Sequence, residues 1–144
     1  GTGGMLGGQM ADVEAEGRDV TAEEIDYIHI HKTGMLIRGS VRIGAILAGA
    51  DSETLARLTR YGEQVGLAFQ IIDDILDVEG DQKKLGKLVG SDCKNDKATY
   101  PQAVGIEKAR ERADGLIDSA LTHFDKGDEN MLTYIARYIG RRES

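Results

Sequence analysis

Residues 69–77 read Phe-Gln-Ile-Ile-Asp-Asp-Ile-Leu-Asp and lie inside a longer segment whose apolar side chains recur at helical spacing. Steps of four and three residues alternate along this segment, which is the spacing of one buried face of an α-helix. The residues that repeat in this way are Leu58, Gly62, Val65, Phe69, Ile72 and Leu76. The pattern predicts a long central helix against which other helices pack.

The acidic residues of this stretch lie at the margin of the predicted apolar face. At about 100° per residue, Gln70, Asp73 and Asp77 fall within a sector of roughly 60°, while Asp74 points further round, towards the flank. Carboxylates four residues apart on a helix have Cβ atoms about 5–6 Å apart. Such acids most often form a solvated face. Three acids in five residues also repel one another unless a cation lies among them, which indicates Mg²⁺, or Mn²⁺ in its place.

The composition favours a helical protein that binds neither nucleic acid nor an anionic membrane. The chain has 144 residues, 40% of them hydrophobic, with one Pro and no Trp, which suits one domain or part of a larger one. Its formal net charge of −7 opposes binding to polyanions. Cys93 is the single cysteine, so no intramolecular disulfide forms and a cytoplasmic location is expected.

No apolar run approaches the roughly 18 residues that a transmembrane helix requires. The longest such run, residues 43–50, is short and interrupted by glycines, and no basic-then-apolar leader precedes it. The chain opens Gly-Thr-Gly-Gly without an initiator Met. It therefore reads like the middle of a longer protein.

Two polar elements precede the central helix. Gln9 and Asp12 are neighbours on one face of a first helix, and Thr21 begins a second helix with a capping box. Lys32 and Thr33 follow in an apolar neighbourhood. A cation beside a hydroxyl group suits a diphosphate, and the glycine after them permits a local kink. His29 and His31 are two residues apart, so they cannot face the same way, and no catalytic or metal role is expected for them.

A polar segment, residues 81–99, is predicted to be a loop because Gly80 is expected to end the central helix. Charged runs of this kind are usually solvated, but lysines that directly follow the acidic cluster could reach back over a bound diphosphate. Pro101 is expected to open a single helix that continues to Phe124, and a last helix is expected from Met131 to Ile139. The following Arg141 and Arg142 are expected to interact with the dipole of that helix.

The motif F-Q-x-x-D-D-x-x-D at residues 69–77 resembles the second aspartate-rich motif of the trans-isoprenyl diphosphate synthases, which include farnesyl and geranylgeranyl diphosphate synthases. Three further elements are similar to that family: G-Q-x-x-D at residues 8–12, K-T-G at residues 32–34, and G-K-x(4)-D-x(4)-K-x-T-Y-P at residues 86–101. Specific motifs in the family's order strengthen the resemblance, which extends over essentially the whole chain.

The resemblance implies an all-α fold of long antiparallel helices around a deep cavity, the isoprenoid synthase fold. It also implies a Mg²⁺-dependent prenyltransferase, in which isopentenyl diphosphate condenses with an allylic diphosphate. The resemblance implies metal binding by Asp73 and Asp77, with Asp74 acting through water. It implies diphosphate binding by Lys32 and Lys87, supported by Thr33, Gln70 and Lys97, and catalytic roles for Lys32, Thr33, Gln70 and Lys87. It also implies substrate-binding positions facing the cavity for Gln9 and Asp12, and it leaves open a C-terminal flap near the second diphosphate for Arg141 and Arg142.

The departure from the family is the absence of the first aspartate-rich motif. Residues 1–144 therefore resemble the C-terminal half of one isoprenoid synthase domain, and we expect the isolated chain to be nearly inactive. We also expect it to expose apolar surface and to form a homodimer. Two other functions remain open: a terpene cyclase-like lyase, and a non-catalytic subunit of a heteromeric prenyl diphosphate synthase.

Overall fold

The computed structural model describes residues 2–85 and 98–142, with the backbone alone for residues 81–85. These residues form helices and connections without any β-strand, which confirms the all-α prediction. The elements are α1 (Met5–Ala15), α2 (Ala22–His29), a π-helix (Ile30–Gly34), α3 (Met35–Leu47), α4 (Ser52–Leu85), α5 (Tyr100–Val104), α6 (Ile106–Leu121) and α7 (Met131–Gly140). Among the described helices, none combines the length and hydropathy that crossing a bilayer requires.

Helix α4 is the centre of the fold, as predicted, and packs against α3, α6 and α7. Its most deeply buried side chains are Tyr61, Val65, Ala68 and Ile71. Helix α6 faces them with small residues, which let the two helices approach closely: Ala109, Ala113 and Ala120, each 2% exposed or less. The predicted stripe is therefore only part of the buried surface, since several helices cover α4 from different sides.

The segment formed by α2, the π-helix and α3 runs antiparallel to α4 at close range. A Cβ atom added to Gly62 would lie 3.0 Å from the Cα of Arg38, and one added to Gly66 would lie 3.0 Å from the Cα of Gly34. Two backbones can approach this closely only where a side chain is missing. The glycines of α4 thus fix where the π-helix lies on the central helix.

The helix starts follow the sequence signals. Thr21 begins α2 with both hydrogen bonds of a capping box, and the side chain of Asp51 accepts from the Thr54 N–H at 2.7 Å where α4 starts. Gly34 was expected to permit a local kink, and the structure has a π-helix that ends at this residue. Side-chain oxygens at these starts pair with N–H groups that have no partner within the helix.

Two predicted helix ends are wrong. Helix α4 continues through Gly80 to Leu85, so part of the predicted loop is helical; a glycine costs a helix only about 1 kcal/mol relative to alanine, and good helix formers follow it. The single helix expected from Pro101 to Phe124 is divided at Gly105, whose φ of 89° ends α5 before α6 begins. The remaining predicted loop, residues 86–97, lies outside the described residues.

Candidate active site

Asp73 and Asp77 lie one turn apart on α4 and both reach the surface. The side chain of Asp73 is 43% exposed, and its Oδ1 lies 3.5 Å from Nη2 of Arg142. The Arg142 guanidinium carbon also lies 5.0 Å from the centre of the Phe69 ring. A positively charged group therefore contacts the aspartate cluster. The helix-dipole role predicted for this arginine does not account for that contact.

Asp74 is turned into the protein and is only 2% exposed. Its Oδ2 accepts a hydrogen bond from the backbone N–H of Tyr100 at 2.9 Å and lies 3.2 Å from Nε2 of His29. Asp74 was expected to point towards the flank of the apolar face, and that flank is covered by α2 and α5. The triplet of aspartates is thus divided: Asp73 and Asp77 reach solvent and Asp74 is buried. The metal-binding role of the three stays a prediction.

Lys32 lies on the π-helix, where its ammonium group pairs with the carboxylate of Asp12 from α1. The two helices touch here, because a Cβ atom on Gly8 would collide with the backbone of Lys32. The structure therefore brings together the two polar elements that are 20 residues apart in the sequence. A π-helix inside a helical run is often found at a functional site.

The other predicted substrate-binding residues have less specific surroundings. Gln9 is exposed, while Thr33 and Gln70 are half-buried. Lys87 and Lys97 lie outside the described residues. The substrate-binding roles of these five residues stay predictions.

Sequence reasoning missed His29, which is 5% exposed and contacts Asp74. Its ring also stacks on Tyr100, with ring centres 6.4 Å apart. The signal that could have found it is its spacing of four residues from Ile25, which places both on the buried face of α2. His31, by contrast, is half-buried and bonds locally, with Nδ1 2.8 Å from the carbonyl oxygen of Tyr27.

A second set of polar side chains lies beside this pair. Burial raises the pKa of the Asp26 carboxyl group, and Arg112, whose Nη2 lies 3.8 Å away, opposes that rise. Burial also raises the pKa of the Tyr100 hydroxyl, with a smaller contribution from the negative charge of Asp26. Three polar groups from α2, α5 and α6 therefore meet at one edge of the aspartate helix.

The residues of α4 fit a magnesium ion of the kind that completes its coordination with water and substrate. Among residues 2–80 and 98–142, no group of three or more His, Cys, Asp or Glu side chains lies close enough to hold a metal. Mg²⁺ is commonly bound by one or two carboxylates together with waters and phosphate oxygens. Asp73 and Asp77 supply two carboxylates one helical turn apart, and Asp73 already contacts the positively charged guanidinium group of Arg142.

Residues 2–139 match the family described as Polyprenyl synthetase. The chain belongs to the polyprenyl synthetase family. It is 44% identical over 142 residues to the farnesyl diphosphate synthase of Geobacillus stearothermophilus, with 97% of this chain and 48% of the relative covered. It is 50% identical over 121 residues to the farnesyl diphosphate synthase of Escherichia coli, with 83% of this chain and 40% of the relative covered.

Solved structures agree with the family. A putative farnesyl-diphosphate synthase from Marinomonas superimposes with a TM-score of 0.78 at 36% identity, covering 97% of this chain and 48% of that one. A Helicobacter pylori geranyltransferase complexed with magnesium and isoprenyl diphosphate superimposes with a TM-score of 0.72 at 29% identity, covering 94% and 45%. These neighbours confirm the isoprenoid synthase fold.

The chain spans about half the length of the curated relatives that it matches, and the match falls on their C-terminal half. The relatives are named as prenyl diphosphate synthases, which favours the main functional prediction over a terpene cyclase-like lyase or a non-catalytic subunit.

Proposed function

We propose that this chain is the C-terminal half of a Mg²⁺-dependent prenyltransferase domain, in which isopentenyl diphosphate is condensed with an allylic diphosphate. The observation that carries the proposal is the division of the aspartate triplet on α4. Asp73 and Asp77 remain accessible at the surface, as metal binding requires, while Asp74 is buried. Membership of the polyprenyl synthetase family and the names of the relatives support the same reaction.

In this proposal the described side chains bind and orient the leaving diphosphate. Lys32 donates to the allylic diphosphate and exchanges its contact with Asp12 for one with phosphate oxygens, since both acceptors carry negative charge. Gln70 and Thr33 support it as hydrogen-bond donors. Asp73 and Asp77 hold Mg²⁺, which when bound supplies positive charge where the leaving group develops negative charge. Lys87 and Lys97 are the other two residues that we propose to bind the diphosphate.

We further propose that the active protein is a cytoplasmic homodimer. Large apolar side chains are exposed on the outer faces of α1, α3 and α7, including Met10, Leu36, Ile43, Leu47 and Tyr138. Exposed apolar surface of this extent is typical of an interface with another part of a protein or a second subunit. The single cysteine of the sequence agrees with a reducing compartment.

The test is a condensation assay with radiolabelled isopentenyl diphosphate, geranyl diphosphate and Mg²⁺, on this chain and on the longer protein that contains it. We expect turnover by the longer protein, a loss of about 100-fold or more in Asp73→Asn, and near-background turnover by the chain alone. Asp114→Asn is the matched control, because Asp114 is exposed on α6 and belongs to no proposed site. The absence of turnover by the longer protein would refute the proposed reaction. Full turnover by the 144 residues alone would refute the proposal that this chain is half of a catalytic domain.

A further inference from the structure

The pair formed by His29 and Asp74 joins three helices at one buried point. His29 is the last residue of α2, Asp74 lies on α4, and the same carboxylate oxygen accepts the N–H of Tyr100 at the start of α5. His29 is 5% exposed and Asp74 is 2% exposed. Buried polar groups are costly unless they are hydrogen-bonded, so the contact limits how these helices can lie relative to one another.

We propose that His29 is a positioning residue for the prenyl-transfer site, holding Asp74 and the Lys32 segment in the geometry that binds a magnesium diphosphate. The inference rests on the proposed function and deepens it. His29 touches neither substrate nor metal in this account. It acts through Asp74, which is adjacent to the ligand Asp73, and through the backbone that leads to Lys32.

The first argument is the position of Lys32 between two anchors. Before it, His29 is fixed to Asp74; after it, Gly34 packs on Gly66, where an added Cβ atom would lie only 3.0 Å away. The intervening residues form the π-helix, a wide turn that is rare without tertiary support. Releasing the first anchor would allow these residues to return to ordinary helical geometry and would move the ammonium group of Lys32.

The second argument is the chemistry of the contact. Nε2 of His29 lies 3.2 Å from Oδ2 of Asp74, and in the proposed contact the imidazole presents Nε2–H to this acceptor oxygen. Within the described residues, Nδ1 of His29 is buried and has no hydrogen-bond partner. Among the described residues, Asp74 is therefore the polar partner that faces the imidazole. In this account Asp74 is not itself a ligand, so His29 belongs to the outer shell of the site, whose members typically change metal affinity or activity by about 10–100-fold when they are removed.

The experiment measures the binding of inorganic diphosphate in the presence of Mg²⁺ by titration calorimetry, on the whole 144-residue chain and three variants. His29→Leu removes the donor, and we expect binding to weaken about 10–100-fold. His29→Gln keeps an N–H donor at similar reach, and we expect binding close to that of the unsubstituted chain. His123→Leu is the matched control, because that histidine contacts Gln64, which belongs to no proposed site, and the variant is expected to bind normally.

A second measurement reports on the contact itself. In ¹⁵N-histidine-labelled chain, we expect His29 to show a slowly exchanging Nε2–H signal, which a buried donor on Asp74 produces. Circular dichroism of each variant establishes folding. If His29→Leu does not fold, two other results decide. Retained binding by His29→Gln, together with the Nε2–H signal in the unsubstituted chain, supports the proposal. The loss of either result overturns it.

The outcomes separate the two levels of the argument. If the unsubstituted chain binds the magnesium diphosphate and a folded His29→Leu binds it equally well, the positioning role is refuted and the proposed function stands. If the unsubstituted chain does not bind it at all, the positioning role is refuted, and the condensation assay on the longer protein decides the proposed function separately.

Discussion

The division of the aspartates predicts effects of very different size on stability for two adjacent substitutions. Asp74→Ala removes the partner of two buried polar groups: it is the acceptor of the Tyr100 N–H, and its Oδ2 lies 3.2 Å from Nε2 of His29. Leaving a buried donor unsatisfied costs about 1–3 kcal/mol, so we expect Asp74→Ala to lower the free energy of unfolding by about 2–6 kcal/mol. Asp73→Ala removes one 3.5 Å contact of a carboxylate that is 43% exposed, and we expect a cost of at most about 1 kcal/mol.

Urea unfolding followed by far-ultraviolet circular dichroism measures this difference. For a denaturant slope of about 2 kcal/mol per molar urea, the midpoint of Asp74→Ala should fall by about 1–3 M, and that of Asp73→Ala by less than about 0.5 M. Asp74→Asn keeps one acceptor oxygen and should lie between the two. Equal midpoints for the two alanine variants would refute the claim that Asp74 alone is built into the core.

Three further substitutions test the packing and the buried ionisable groups. Gly66→Ala would push a Cβ atom to 3.0 Å from the backbone of the π-helix, and we expect a loss of about 1–3 kcal/mol in the free energy of unfolding. Burial raises the pKa of Tyr61 to about 12, so stability should fall as the pH rises from about 10 towards 12, and Tyr61→Phe should remove that fall. Burial and nearby arginines lower the pKa of His123 below its ordinary 6.5, so stability should fall as the pH drops below about 6.5, and His123→Gln should reduce that loss.

The direction of each change in stability with pH follows from whether the folded or the unfolded state binds protons more readily. A tyrosine whose pKa is raised by folding ionises more easily when unfolded, so its contribution is present below about pH 10 and is lost above it. A histidine whose pKa is lowered by folding takes up its proton more easily when unfolded, so its contribution is present above about pH 6.5.

Each of these predictions has its own control. Gly115→Ala, in α6, meets nothing within 4 Å and should stabilise the helix by up to about 1 kcal/mol, so a loss there equal to that of Gly66→Ala would contradict the packing argument. Tyr61→Phe also removes a 2.7 Å hydrogen bond to a main-chain carbonyl of α7, with a cost of about 1 kcal/mol near neutral pH. An unfolding profile between pH 5 and 7 that is unchanged in His123→Gln would count against the histidine prediction.

The sequence determined the helical class, the central position of α4 and the capping of several helices. Each of these depends on periodicity or on a cap within a few residues, and local physical chemistry is sufficient for both. The same holds for two of the polar residues: Lys32 and Asp73 could be singled out because a charged group beside an apolar face requires an explanation. Asp12 was named because its G-Q-x-x-D motif resembles that of the trans-isoprenyl diphosphate synthases.

The tertiary structure decided which way each group points. Asp73 and Asp74 are neighbours in the sequence with identical side chains, and only the covering of α4 by α2 and α5 makes one accessible and the other buried. The contact between His29 and Asp74 spans 45 residues, and that between Arg142 and Asp73 spans 69. Such contacts depend on how helices pack, and no local pattern determines that packing; the close backbone approach at Gly62 and Gly66, for example, fixes α3 and the π-helix on α4.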